Sequence, residues 1–437
     1  MAPVLDRRAL LASAAGIGSW VLFDRTAEAQ LRVDITRGVV EPLPIAISPL
    51  AGDPLLGVQI ADVVQADLDG SGLFRTIDRR AYIQKPEELR QVPRFADWRQ
   101  INAQALVSGI ATPTAQGIAV EFRLWDVLGG TQMTGLRFEG PADRWRRIAH
   151  KIADAVYERM TGEKGYFDTR IVYVAESGPA TRKVKRIAVM DQDGANHRFL
   201  TDGRDLVLTP RIAPNATSVA YMAYRGRTPK VYVRPLEGAG GERILVDSEG
   251  MSFAPRFAPD GRRMLVTIAQ RGNSDIWEVT AAGGRRRLTA EPGIDTSPSF
   301  SPDGQRIVFN SDRGGRPNLY VMNADGSGVQ RISYGDGRYF SPMWSPRGDL
   351  IAFVNIKERS FHIGVMRPDG SDERLITRSW QDEGPAWSPN GRIILFYRLD
   401  RATDRSELRR IDITGYNERV VPTPQAASDP DWSGLIP

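Results

Sequence analysis

Three histidines and no cysteine limit the chemistry open to this chain of 437 residues. Without cysteine there is no thiolate nucleophile, no sulfur-ligated metal and no disulfide framework. His150 falls in a helical stretch, His197 in a turn and His362 in a strand, and nothing in the sequence gathers these on one metal or in one triad. A nucleophile elbow needs Gly-x-Ser-x-Gly, whereas Ser252 and Ser274 each have only the first glycine. The segment Asp67-Leu68-Asp69-Gly70-Ser71-Gly72, with Asp78 at the twelfth position, resembles the start of a calcium loop. Arg75 at the ninth position, the missing Glu at the twelfth and the lack of an exiting helix after Ile77 argue instead for a glycine-rich turn from helix to strand. The residues therefore predict no catalytic group, no cofactor and no metal site.

The elements that would position any function are marked by a repeated turn phrase. It reads Phe257-Ala258-Pro259-Asp260-Gly261, Phe300-Ser301-Pro302-Asp303-Gly304, Trp344-Ser345-Pro346-Arg347-Gly348 and Trp387-Ser388-Pro389-Asn390-Gly391, with a degenerate copy at Ile212-Ala213-Pro214-Asn215-Ala216. The leading residues are spaced by 45, 43, 44 and 43 positions, a period that belongs to one stacked supersecondary unit. Between phrases, short runs such as Ile307-Val308-Phe309 and Leu319-Tyr320-Val321-Met322 alternate apolar and polar residues and are broken by Gly-containing turns. Three turns per unit give four antiparallel strands, the content of a propeller blade whose apolar faces are buried only by its neighbours.

Counting from Ile171, Ala220, Leu265, Ile307, Ile351 and Ile393 gives six units, of which the first lacks its own leading strand. The spare segment Asp429-Pro430-Asp431-Trp432-Ser433-Gly434 at the other end has no blade after it. The two halves together predict a six-bladed β-propeller closed by a C-terminal strand.

The first 29 residues have a charged start at Asp6-Arg7-Arg8, an apolar stretch from Ala9 to Phe23 and Ala27-Glu28-Ala29 before Gln30, the pattern of a cleaved secretory signal. Arg7-Arg8 followed by Ala9-Leu10-Leu11 fits either a twin-arginine or a general-secretion route. Residues 30–165 lack the repeat and read as an α/β domain, with a strand at Ile45-Ala46-Ile47, a helix from Gly57 to Leu68, strands near Ala105–Gly109 and Ile118–Leu124, and a helix from about Ala142 to Met160. Residues 166–437 form the propeller. The net charge of +5 is a small excess, and clusters such as Arg285-Arg286-Arg287 read as solvated blade edges without the interleaved aromatics of a nucleic-acid surface.

Signal, small α/β domain and six units carrying the W-S-P-D-G phrase together resemble the TolB family, periplasmic components of the Tol-Pal system of Gram-negative envelopes. The sharpest local matches are Ala66-Asp67-Leu68 through Phe74 and Met160-Thr161-Gly162-Glu163-Lys164-Gly165 leading into Thr169–Val174. The resemblance implies a monomeric, non-catalytic scaffold serving outer-membrane invagination in cell division and envelope integrity. It also implies two partners, Pal on a propeller face and TolA on the mature N-terminal segment. Leu31, Arg32, Val33, Asp34, Ile35 and Thr36 then become the TolA-binding residues, adding a strand to the partner's sheet, unless they are simply the first strand of the α/β domain. For Pal the implied contacts lie in loops leading into each blade's first strand: Met251, Phe253, Asp295, Thr296, Tyr339, Trp380 and Glu383. Thr296 matches the family pattern, Met251 stands where relatives have histidine, and the aromatics Phe253, Tyr339 and Trp380 are read as exposed or as packing the loop bases. A periplasmic hydrolase or peptidase-associated propeller is the competing class.

Overall fold

The computed structural model describes residues 31–33, 41–226, 228–238, 240–247 and 250–437. The signal segment lies outside these residues.

The chain first builds an α/β layer. Strand β1 (Leu43–Ile47) is followed by the short β2 (Ala51–Gly52), helix α1 (Pro54–Ser71), β3 (Phe74–Thr76), α2 (Phe95–Gln100), β4 (Ala105–Thr114), β5 (Gly117–Asp126), β6 (Thr131–Gly140) and α3 (Trp145–Thr161). The sheet runs β3-β1-β4-β5-β6, with β1 parallel to both neighbours and β4, β5 and β6 antiparallel. Helix α1 starts where the Asp53 carboxylate accepts the Leu56 amide at 2.9 Å and Pro54 needs no donor. It ends at Gly72, whose φ of 75° is the left-handed C-cap. The segment Asp67–Gly72 is the last turn of α1 and its glycine cap leading into β3, the helix-to-strand turn expected in preference to a calcium loop, and Asp69 spends both oxygens on Thr76, at 2.9 and 2.6 Å. Strand β6 escaped the sequence reading because Gly135 and solvent on most of its side chains erase the alternation.

Six four-stranded sheets follow among the described residues, five of them continuous in sequence. The sixth pairs Ala426–Trp432 with Arg170–Ser177, so the C-terminal strand supplies the missing inner strand of blade one as expected. Each turn phrase follows an inner strand. In the Ser301 copy, the Ser301 amide donates to Arg306 O at 2.8 Å and its hydroxyl accepts the Arg306 amide at 2.9 Å, while Gly304 takes a φ of 69°. The phrase aromatics wedge between blades: Trp387 Nε1 donates to Met343 O of the preceding blade at 2.9 Å.

The α/β domain docks on the turn-phrase end of the propeller, over blades five, six and one. Asn390 donates to Lys164 O at 2.9 Å, Asn417 to Ser71 O at 3.0 Å, and Arg347 pairs with Glu163 at 2.8 Å. One apolar cluster runs through both parts, taking Ile60, Val156 and Met160 from the helices and Ile171, Leu395 and Trp432 from the blades. At its centre Tyr166 packs against Tyr157, Phe167 and Trp432 with ring centroids 4.5 to 5.8 Å apart. Asp154 holds the connecting chain, accepting the Phe167 and Asp168 amides at 2.7 and 3.1 Å.

Candidate functional site

The expected Pal residues gather at the end of the propeller opposite the α/β domain, where the inner strands begin. Six of the seven lie inside those strands, not in the loops before them: Met251 and Phe253 in Met251–Phe257, Asp295 and Thr296 in Asp295–Phe300, Tyr339 in Arg338–Trp344 and Glu383 in Asp382–Trp387. Only Trp380 precedes its strand.

Burial divides them. Met251 (42 % exposed) and Trp380 (48 % exposed) face solvent, and the Arg401 guanidinium stacks on the Trp380 ring at 4.3 Å from its centroid. Thr296 is half buried, 3.3 Å from the Thr267 hydroxyl of the preceding blade. Phe253 is half buried too. Glu383 accepts from the Tyr397 hydroxyl at 2.7 Å and Gln381 at 3.1 Å, with burial pushing its carboxyl up against those hydrogen bonds.

Two expectations need correction. Tyr339 is 0 % exposed and donates to Glu373 at 2.8 Å, so it is a core residue and not an exposed aromatic. Asp295 is buried and paired with Arg313 at 2.6 Å, as Asp382 is with Arg398 at 2.6 and 2.7 Å. A buried carboxylate matched to an arginine at equivalent places in two blades tethers a strand start and is not available to a partner.

A second repeat, missed in the sequence, shapes the inner strands. Each shifts register once, at a residue of positive φ followed by proline: Thr209-Pro210, Ala254-Pro255, Ser297-Pro298, Ser341-Pro342, Gly384-Pro385 and Asp429-Pro430. The φ values of 48 to 64° belong to bulges that turn the following side chain. After three of these prolines come Arg211, Arg256 and Asp431, which meet across blades one to three: Asp431 accepts the Ile212 amide at 2.9 Å and Arg256 at 3.5 Å. Burial, then the charge of Arg211, brings the Arg256 guanidinium down to about 9. Proline recurs here six times at intervals of 43 to 45, which would have counted six blades directly.

At the docked end, Val33 is buried and its amide donates to Met160 O at 2.9 Å, while Leu31 packs on the same core. Arg32 is exposed. Asp34, Ile35 and Thr36 lie outside the described residues. Between the domains, His150 on α3 meets Asp67 on α1 at 2.6 Å, and Asp67 also accepts from Gln192 of blade one at 2.7 Å. Gln192 accepts in turn from Arg410 of blade six at 3.1 Å. Burial alone would push the His150 imidazole down, but the charge and hydrogen bond of Asp67, with Asp193 and Asp191 beyond, hold it up at about 9. His197 packs against the rings of Tyr173 and Phe199, and His362 bonds Thr377 O at 2.7 Å, so the three histidines stay apart as expected. What the sequence did not reveal is the acidic company of His150, because Asp67 and Asp193 come from distant elements.

Among the described residues no helix is long and apolar enough to cross a membrane. Residues 157–436 match a family model described as the TolB beta propeller domain, and residues 31–133 one described as the TolB amino-terminal domain. The chain is similar to the Tol-Pal system protein TolB of Gluconobacter oxydans (strain 621H), 46 % identical over 413 residues covering 93 % of this chain and 88 % of that one. It is 48 % identical over 436 residues to the Tol-Pal system protein TolB of Pelagibacter ubique (strain HTCC1062), covering 95 and 98 %. The crystal structure of TolB from Acinetobacter baumannii superposes with a TM-score of 0.81 at 28 % identity, covering 92 % of this chain and 99 % of that one. The chain therefore belongs to the TolB family, the non-catalytic propeller proteins of the Tol-Pal system.

Proposed function

We propose that the protein is a periplasmic adaptor of the Tol-Pal system, exported by the signal at residues 1–29. It holds Pal at the strand-start end of the propeller and TolA on residues 31–36, and it serves outer-membrane invagination during division and envelope integrity. The observation that carries this reading is the separation of the two surfaces. The exposed Met251 and the Trp380–Arg401 pair sit at one end of the propeller axis, and the α/β domain with Leu31–Val33 sits at the other. One protein can then bridge two partners without either blocking the other. Strand addition to TolA requires Val33 to leave Met160 and the core, a cost of about 2 kcal/mol for the buried side chain.

The test is a paired binding measurement. Thr296→Arg combined with Trp380→Glu is expected to weaken Pal binding at least tenfold and leave TolA binding intact. A chain starting at Val39 is expected to do the reverse. Pal affinity unaltered by the double substitution refutes the face assignment, and normal TolA binding without residues 30–38 refutes the segment.

A further inference from the structure

We propose that the cleft between α3 and blades one and two is a docking site for an acidic peptide, a run of Asp or Glu side chains on a partner chain. The cleft measures about 750 Å³ and is lined by Arg144, Arg146 and Arg147 from the start of α3 and by Arg170 and Arg198 from blade one. It contains none of the residues proposed for Pal or TolA. The arginines of α3 oppose the helix that carries them. No acidic residue stands in its first turn, its N-cap side chain makes no capping bond, and a cation at that end works against the helix dipole. What they face explains them better than what they extend.

Arg147 is committed: it holds Asp168 at 3.1 and 2.9 Å and donates to Ile436 O and Pro437 O, each at 3.0 Å, so one segment of this chain already lies on a guanidinium here. The other four keep donors to give. Arg146 bonds Asp193 through a terminal nitrogen, which leaves its buried Nε without a hydrogen-bond partner. Arg144 is exposed, and its guanidinium bonds nothing among the described residues. Arg170 and Arg198 share one carboxylate, Glu237, at 2.7 and 2.9 Å. Glu237 is 64 % exposed and comes from a loop of blade two, so it displays the binding mode and is free to swing away. An incoming carboxylate takes its place between the two forks.

The turn phrase of blade two is adapted to the same cleft. Asn215 lines it where the copies of blades three and four have Asp260 and Asp303. It still caps its turn, accepting the Thr217 amide at 3.2 Å and the Thr217 hydroxyl at 2.7 Å, but it brings no charge. The carboxylates that remain in the lining are Asp143, Asp191 and Glu237, and Asp191 is engaged by Asn196 at 2.6 Å. Interspersed with the arginines, they would repel a phosphate dianion concentrated at one point. Single carboxylates spaced along a peptide can each meet one fork.

The test uses the full chain and a fluorescein-labelled hexaglutamate peptide, followed by fluorescence anisotropy at low and at physiological salt, with labelled hexalysine and inorganic phosphate in separate arms. One-to-one binding of hexaglutamate that weakens with salt is expected, and none of hexalysine. Arg170→Gln with Arg198→Gln is expected to weaken binding by about tenfold or more, and Glu237→Gln to tighten it. Arg144→Gln, on a side chain with no bonds to lose, is expected to weaken it about threefold at an unchanged melting temperature, which keeps the test decisive if the double variant folds poorly. Arg285→Gln, in the exposed arginine cluster of blade three, is expected to leave the affinity unaltered. An equal loss in Arg285→Gln, no loss in either cleft variant, or a cleft that inorganic phosphate fills and hexaglutamate does not overturns the proposal.

Discussion

The junctions from blade three to blade five and those from blade five through six to one use one turn phrase but fill the space under its aromatic differently. On the open side, the Arg263 guanidinium covers Phe300 at 5.3 Å and Arg306 covers Trp344 at 4.7 Å, each reaching from the blade before. Toward the seam the equivalent positions are Leu350, clustered with Trp387, and Ile393, clustered with Trp432. An arginine can lie on a ring and keep its charge in water, so it suits an end that stays wet. Under the docked domain the same place is dry, and an aliphatic side chain avoids burying a charge. The repeat is therefore one scaffold with two finishes, chosen by whether the α/β domain lies above.

Breaking the seam is expected to have the largest effect. Removing residues 426–437 takes away the inner strand of blade one together with Trp432, whose indole bonds Thr169 at 2.8 Å. The expected outcome is loss of the cooperative thermal transition, and an unchanged melt would show that closure lies elsewhere. Smaller and more diagnostic is the response of Asp154 to pH. Burial holds its carboxyl up at about 7 against the two amide hydrogen bonds. A folded value above the unfolded 3.8 means that this contribution is full below about pH 4 and is lost as the pH rises through 7. The wild type should lose on the order of 4 kcal/mol relative to Asp154→Asn between pH 4 and 8, read from urea midpoints. A difference that stays flat with pH would mean that Asp154 is ionised throughout. The smallest effect is expected from Arg306→Leu, which gives the open side the finish of the seam. Its stability should change by less than about 1 kcal/mol, and a loss of several would make the cation structural and collapse the distinction.

Architecture was legible because the turn phrase is chemical: Gly304 needs its positive φ and Ser301 its hydroxyl, and both recur at a fixed period. Offsetting the headless first unit against the bare Trp432 segment was sufficient to deduce the closure. The inner-strand proline repeat has the same period, but it stands outside the turns that mark the blades. The proposed Pal face was legible only in part. Sequence position put Tyr339 and Asp295 beside Met251, and their burial follows from partners at Glu373 and Arg313 that no local pattern announces. The acidic pocket of His150 was illegible for the same reason, since its members meet only after two domains have docked.

The pairing of Ala426 with Glu176 joins positions about 250 residues apart. Loop-closure entropy makes this only about 2 kcal/mol dearer than a contact within a blade, since each doubling of the loop adds about 0.6 kcal/mol. The larger consequence concerns the order of synthesis. Blades two to six can form as they emerge, but blade one keeps an unpaired edge until Ala426–Trp432 arrives, and until then the α/β domain can dock only onto an unfinished blade. A chain that stops before residue 426 is left with an open ring and an unlatched cap, so closure of the ring reports that synthesis has passed the strand Ala426–Trp432.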